Sequence, residues 1–132
     1  HRIWAFGGDD SHDTNKHMGY GYILIQSNKN VTSVLQNLKF GRFVVVDKPT
    51  HTFIKINSLQ LDVSGIKITF SDRVDTLNIK GPNNKPLLSL FNKKSFYIPL
   101  RRYLHEPYIR IEYEKKGVHY FTNPIFKLGA LK

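Results

Sequence analysis

From Thr52 onward the chain never runs more than a few residues without an apolar stretch of strand length, and turn-forming residues punctuate those stretches. Phe53, Ile54 and Ile56 are followed by Leu59, Leu61 and Val63 at alternate positions, and Ser64-Gly65 then leads into Ile66, Ile68 and Phe70. Extended backbone sends successive side chains to opposite faces, so this spacing buries one face and wets the other. A turn over residues 71–75 precedes Leu77 and Ile79, and Gly81-Pro82-Asn83-Asn84 supplies another. Further strands are expected over residues 87–91, 95–98, 108–113 and 118–121, with Lys115-Lys116-Gly117 turning the last hairpin. Strands at this spacing predict a β-sandwich or barrel.

The first part of the chain has a different rhythm. Ile3-Trp4-Ala5-Phe6 reads as a short buried strand that stops at Gly7-Gly8, and residues 22–26 read as a second strand after a loop. In residues 31–40 the apolar positions 31, 34, 35 and 38 fall on one helical face. Asn30 or Thr32 is placed to cap the start, and Gly41 suits the left-handed residue after the end. A strand over residues 43–46 follows, and Asp47-Lys48-Pro49 reads as a junction. The expected fold is therefore mainly β: a sandwich-like module over residues 49–132, preceded over residues 1–48 by a short α/β segment with one helix.

Charge separates the same two parts. Residues 1–30 hold Arg2, Lys16 and Lys29 against Asp9, Asp10 and Asp13, so the whole excess of +10 lies in the body that follows. Such an excess attracts nucleic acid, phosphorylated ligands or anionic surfaces without choosing among them. The absence of cysteine excludes disulfides and thiolate metal sites and fits a cytoplasmic location. No apolar run approaches the ~20 residues of a membrane helix, so no membrane partner is expected.

The sharpest chemical constellation is Gly7-Gly8-Asp9-Asp10-Ser11-His12-Asp13 at the end of the first strand. A carboxylate and an imidazole two residues apart point to the same side of extended backbone. Both are ligands for Zn, Mn or Fe, and strand ends are where α/β folds present such groups. Asp10 and His12 are the candidate metal ligands. Asp9, Asp13 and His17 stand close enough in sequence to add a ligand or to orient His12.

Three blocks carry a resemblance. They are Gly8-Asp9-Asp10-Ser11-His12, then Gly19-Tyr20-Gly21-Tyr22 with the strand and helix that end in Leu38-Lys39-Phe40-Gly41-Arg42-Phe43, and finally Tyr108-Ile109-Arg110-Ile111-Glu112 with Phe121-Thr122-Asn123-Pro124-Ile125-Phe126. In this order they resemble the C-terminal end of the PHP (polymerase and histidinol phosphatase) superfamily, together with the β-module that follows the barrel in some members. The resemblance implies a distorted (β/α)7 barrel whose last metal motif, Asp-x-His, falls on Asp10 and His12. It implies a divalent metal (Mn, Zn or Fe) in the intact protein, a phosphorylated substrate, and phosphate contacts from Arg42 or Lys16. The family's earlier ligands have no counterpart in this sequence, and two ligands are fewer than the three a catalytic metal needs. The expectation is thus a C-terminal portion of a metal-dependent phosphoesterase, not active alone. It would bind no metal unless an upstream barrel or a second copy of the chain completes the site.

The rival expectation is a non-catalytic basic β-sandwich that binds nucleic acid or an acidic partner. Tyr97, Tyr103, Tyr108, Tyr113 and Tyr120, set among Arg and Lys, are the residues that could stack bases. At strand spacing the same residues serve as core and cross-strand pairs. His51, His105 and His119 are read as structural. The sequon Asn30-Val31-Thr32 is set aside because it opens a helix.

Overall fold

The structure, a computed structural model, describes residues 21–47, 53–62 and 64–126. The expected strand over residues 3–6, the junction residues Lys48 and Pro49, and Val63 lie outside them. The described chain is mainly β, with one α-helix. In chain order its elements are β1 (Gly21–Ile25), α1 (Val31–Lys39), β2 (Phe43–Asp47), β3 (Ile56–Leu61), β4 (Gly65–Lys80), β5 (Pro86–Pro99), β6 (Tyr108–Lys115), β7 (Val118–Thr122) and β8 (Ile125–Phe126). All pair antiparallel in the order β1-β2-β7-β6-β4-β3, with β5 along the other edge of β4 and β8 on β6.

α1 begins as its sequence predicts. Asn30 lies in extended backbone and its Oδ1 accepts the Ser33 amide at 2.8 Å, which satisfies an otherwise orphaned first-turn donor. Gly41 ends the helix at φ 66°, a conformation that costs glycine nothing. The apolar stripe is only partly covered: Val34 and Leu38 are half-buried, whereas Val31 and Leu35 are exposed.

The turn expected over residues 71–75 is absent. β4 runs through it as one strand of 16 residues, and the two strands expected over 87–91 and 95–98 are one continuous β5. What the polar stretch Ser71-Asp72-Arg73 produces is a bend. The β4–β5 register breaks between Thr69 and Val74, and Asn92 takes a left-handed φ of 51° on the facing strand. Outside that break the alternation is preserved, with Ile66, Ile68, Phe70, Leu77 and Ile79 all buried.

The bend decides the architecture. The first half of β4 pairs with β3 and the second half with β6, on the same edge. One sheet therefore curls until its two halves face each other, giving the sandwich-like core. A column of rings crosses it: Phe96 edge-on to Phe70, Phe70 at 4.6 Å from Tyr113, and Tyr113 stacked on Tyr120 at 4.5 Å between centroids. The stacked pair are direct register partners across β6 and β7. β2 adds Val46 beside Tyr120, so residues on both sides of position 48 share one sheet.

Candidate functional site

β1 and β3 end the sheet, and the curl brings their inner faces to opposite walls of one cleft of about 1220 Å³. Leu24 and Ile25 line it from β1, and Phe43 and Val44 from β2. Ile56, Leu59 and Leu61 come from β3. Tyr113 and Ile54 contribute from the core, so the floor is apolar. One end is bolted by Tyr120, whose hydroxyl accepts the Ile54 amide at 3.1 Å, and by Tyr22 edge-on to Phe53 at 5.2 Å. Burial pushes the Tyr113 hydroxyl well above the ordinary phenol range, and the neighbouring Tyr120 adds to the shift. Tyr22 is raised for the same two reasons, and its buried hydroxyl has no hydrogen-bond partner among the described residues.

The other end is built from the exit of α1 and the segment after β7. The Arg42 amide donates to the Asn37 carbonyl at 2.8 Å, and the Gly41 amide to that of Leu38 at 3.1 Å. These bonds leave the Gly41 carbonyl turned outward, where Asn123 Nδ2 donates to it at 3.2 Å. Asn123 is the one polar residue buried as a whole among the described residues. Thr122, Asn123, Pro124 and Ile125 thus line the same cleft end as Phe40, Gly41, Arg42 and Phe43.

Of the site residues expected from sequence, Arg42 alone is described. It is exposed on the cleft rim, with its guanidinium carbon 5.3 Å from the Phe40 ring centroid, a cation–π arrangement. Asp9, Asp10, His12, Asp13, Lys16 and His17 lie outside the described residues, as does His51. Among the described residues no three His, Asp or Glu stand together as a metal would need, and no helix is long and apolar enough to cross a membrane. His105 is exposed beside Glu106, at 3.2 Å, and His119 lies 3.8 Å from Glu114. Glu106 also accepts from Lys85 at 2.8 Å, and that bond holds its carboxyl below the ordinary value.

The five tyrosines do not form a platform. Tyr103, Tyr113 and Tyr120 are buried, and Tyr108 is half-buried near Phe126. Tyr97 is exposed, with Lys67 as its register partner on β4. Sequence reasoning passed over Lys55, Leu59, Leu61 and Asn123 as site residues. Their common feature is a wall of the cleft, which only the curl of the sheet creates. Comparison with protein-family models, curated proteins and solved structures finds no match to this chain.

Proposed function

We propose that the chain is the C-terminal portion of a metal-dependent phosphoesterase of the PHP type. In this reading Asp10 and His12 are metal ligands, Asp9, Asp13 and His17 flank them, and the β-module is an accessory. One observation supports it above the others. The phrase Gly41-Arg42-Phe43 and the phrase Thr122-Asn123-Pro124-Ile125, which carry much of the resemblance, are joined by the Asn123–Gly41 hydrogen bond across 82 positions of sequence. Two phrases that recur together for a structural reason should touch, and these do. The joint holds Arg42 at an exposed rim, where a guanidinium can take a phosphate oxygen bidentately.

A carboxylate and an imidazole suit Mn, Zn or Fe. When bound, such a metal acidifies water and neutralises charge on a phosphoester. Two ligands fall short of the usual three, so the full site draws on groups beyond Asp10 and His12. The test is a calorimetric titration of the chain with Mn²⁺ and Zn²⁺ beside the double variant Asp10→Ala/His12→Ala. Metal-dependent hydrolysis of p-nitrophenyl phosphate is measured in parallel, in the protein that carries the remaining ligands. Both substitutions should abolish hydrolysis. Hydrolysis that survives them, with metal dependence intact, overturns the assignment.

A further inference from the structure

We propose that the outer face of β3, β4 and β5 binds single-stranded nucleic acid, with a base stacked on Tyr97 and the flanking phosphates on Lys67, Arg101 and Arg102. The inference stands on that face and does not depend on the phosphoesterase reading. Register fixes which side chains share the face. Lys67 lies opposite Tyr97 and Thr69 opposite Ser95, while Gln60 and Ser58 of β3 lie opposite Lys67 and Thr69. Their neighbours Ile66, Ile68, Phe96 and Ile98 are buried in the core, so these six point outward. The face therefore presents hydroxyls, an amide, a phenol and an ammonium group, and none of the six is a carboxylate.

The ring is exposed but held. Tyr97 is 53% exposed, and its ring lies so close over Gly65 that an added Cβ there would sit 2.7 Å from it. Its hydroxyl donates to Ser64 Oγ at 3.1 Å, and that Oγ donates in turn to Asp62. With one side against Gly65 and the hydroxyl tied, the ring turns its other side to solvent. A base stacking there finds an aromatic plane already ordered, which removes one of the usual costs of binding. Such stacking accepts any base, provided that the base is unpaired and free to leave its own stack.

The cations stand where the phosphates of such a strand would run. Direct register partners are about 5 Å apart at Cβ, which places Lys67 beside the ring. Arg101 and Arg102 are exposed in the turn Leu100–Tyr103 that follows β5. The Leu100 amide donates to the Ser64 carbonyl at 3.2 Å, so this turn is tied to the same residue that holds the tyrosine hydroxyl. None of the three cations has a carboxylate partner among the described residues. Asp62 is the carboxylate of that loop, and its Oδ1 also accepts the Ser64 and Gly65 amides. Positive charge does not coat the molecule evenly. On the outer face of β2, β7 and β6, Asp47, His119 and Glu114 lie in one row of register partners, so a polyanion is repelled there and drawn to the Tyr97 face.

The experiment is fluorescence anisotropy with a dye-labelled oligothymidylate of about ten residues, beside an abasic strand of the same length and a duplex. At low salt the plain strand should bind about tenfold more tightly than the abasic one. Its affinity should fall with salt at a logarithmic slope of about −2, from three phosphate contacts at roughly 0.7 each. Tyr97→Leu should weaken binding by about tenfold, and Tyr97→Phe by no more than about twofold, because the stacking plane remains. Lys67→Gln/Arg101→Gln/Arg102→Gln should remove most of the salt dependence, with circular dichroism reporting that each variant is folded. The comparison of plain and abasic strands on the unaltered protein needs no variant. Equal binding of those two overturns the proposal, because the attraction is then charge alone. A duplex bound as tightly as the single strand overturns it too, as does unchanged binding by folded Tyr97→Leu. Binding to phosphatidylserine vesicles with no oligonucleotide bound also overturns it, since the partner would then be an anionic membrane surface.

Discussion

Replacing Tyr120 by Phe removes a single oxygen while keeping the ring that stacks on Tyr113. That oxygen is the acceptor for the Ile54 amide, and Ile54 is 4% exposed, so water cannot take over. Leaving a buried amide without an acceptor costs about 1–3 kcal/mol, and the middle of that range is the expectation. For a chain of this length, unfolding entropy near 2 cal/mol/K per residue converts about 2 kcal/mol into a melting shift of roughly 7 °C. Urea unfolding of Tyr120→Phe should show a lower midpoint at an unchanged slope, because the native surface is the same. Hydrogen exchange should locate the loss at the Ile54 amide and along β3. Tyr113→Phe is the control: its hydroxyl makes no hydrogen bond among the described residues, so its midpoint should move by well under 1 kcal/mol. A Tyr120→Phe protein with an unshifted midpoint and a protected Ile54 amide would refute the reasoning that this bond holds β3 to β7.

Two further outcomes follow from packing and charge. Gly65→Ala should destabilise by about 2 kcal/mol or more, because the added carbon would sit 2.6 Å from the Ile98 carbonyl oxygen and 2.7 Å from the Tyr97 ring. Urea midpoints check it, and truncating Tyr97 as well should recover only part of the loss, since the Ile98 clash is with backbone. Glu106 is depressed below its ordinary value of 4.5, first by the Lys85 hydrogen bond. A depressed carboxyl stabilises the fold above its ordinary value, and that contribution disappears as pH falls through the folded-state value. Melting midpoints from pH 7 to pH 2 should therefore fall less steeply at the acid end in Glu106→Gln than in the parent protein. A parallel pair of curves would show that the Lys85–Glu106 contact is not formed.

Much of the β framework is written in local pattern. The alternation Ile66-Ile68-Phe70, Ile109-Ile111-Tyr113 and Val118-Tyr120 assigns strands and faces without knowledge of their partners, and all eight residues are buried. Asn30 and Gly41 mark the helix because caps are local chemistry. The residues 71–75 mislead for a nonlocal reason. Polar side chains suit a reversal of the chain, but the register shift against β5 lets the strand bend and continue. The cleft is less legible still. Leu59 and Leu61 have the pattern of core residues, and whether anything covers them depends on how far the sheet curls, which no window of sequence encodes. Asn123 sits in a conspicuous phrase, but its role as the brace on the Gly41 carbonyl needs the other end of the fold.

The pairing of β2 with β7 also has a consequence in time. Val44 meets Thr122 and Val46 meets Tyr120, so a ribosome must add about 75 residues after β2 before its partner exists, which at 5–20 residues per second takes roughly 4–15 s. The β4–β5 hairpin, whose two strands are joined by a short connection, can zip up well within that interval. During it, of the two described strands that flank Phe43-Val44-Val45-Val46, β1 alone has been made. The nascent chain therefore passes through a stage with a β-branched strand half-dressed, and chaperone dependence should concentrate there.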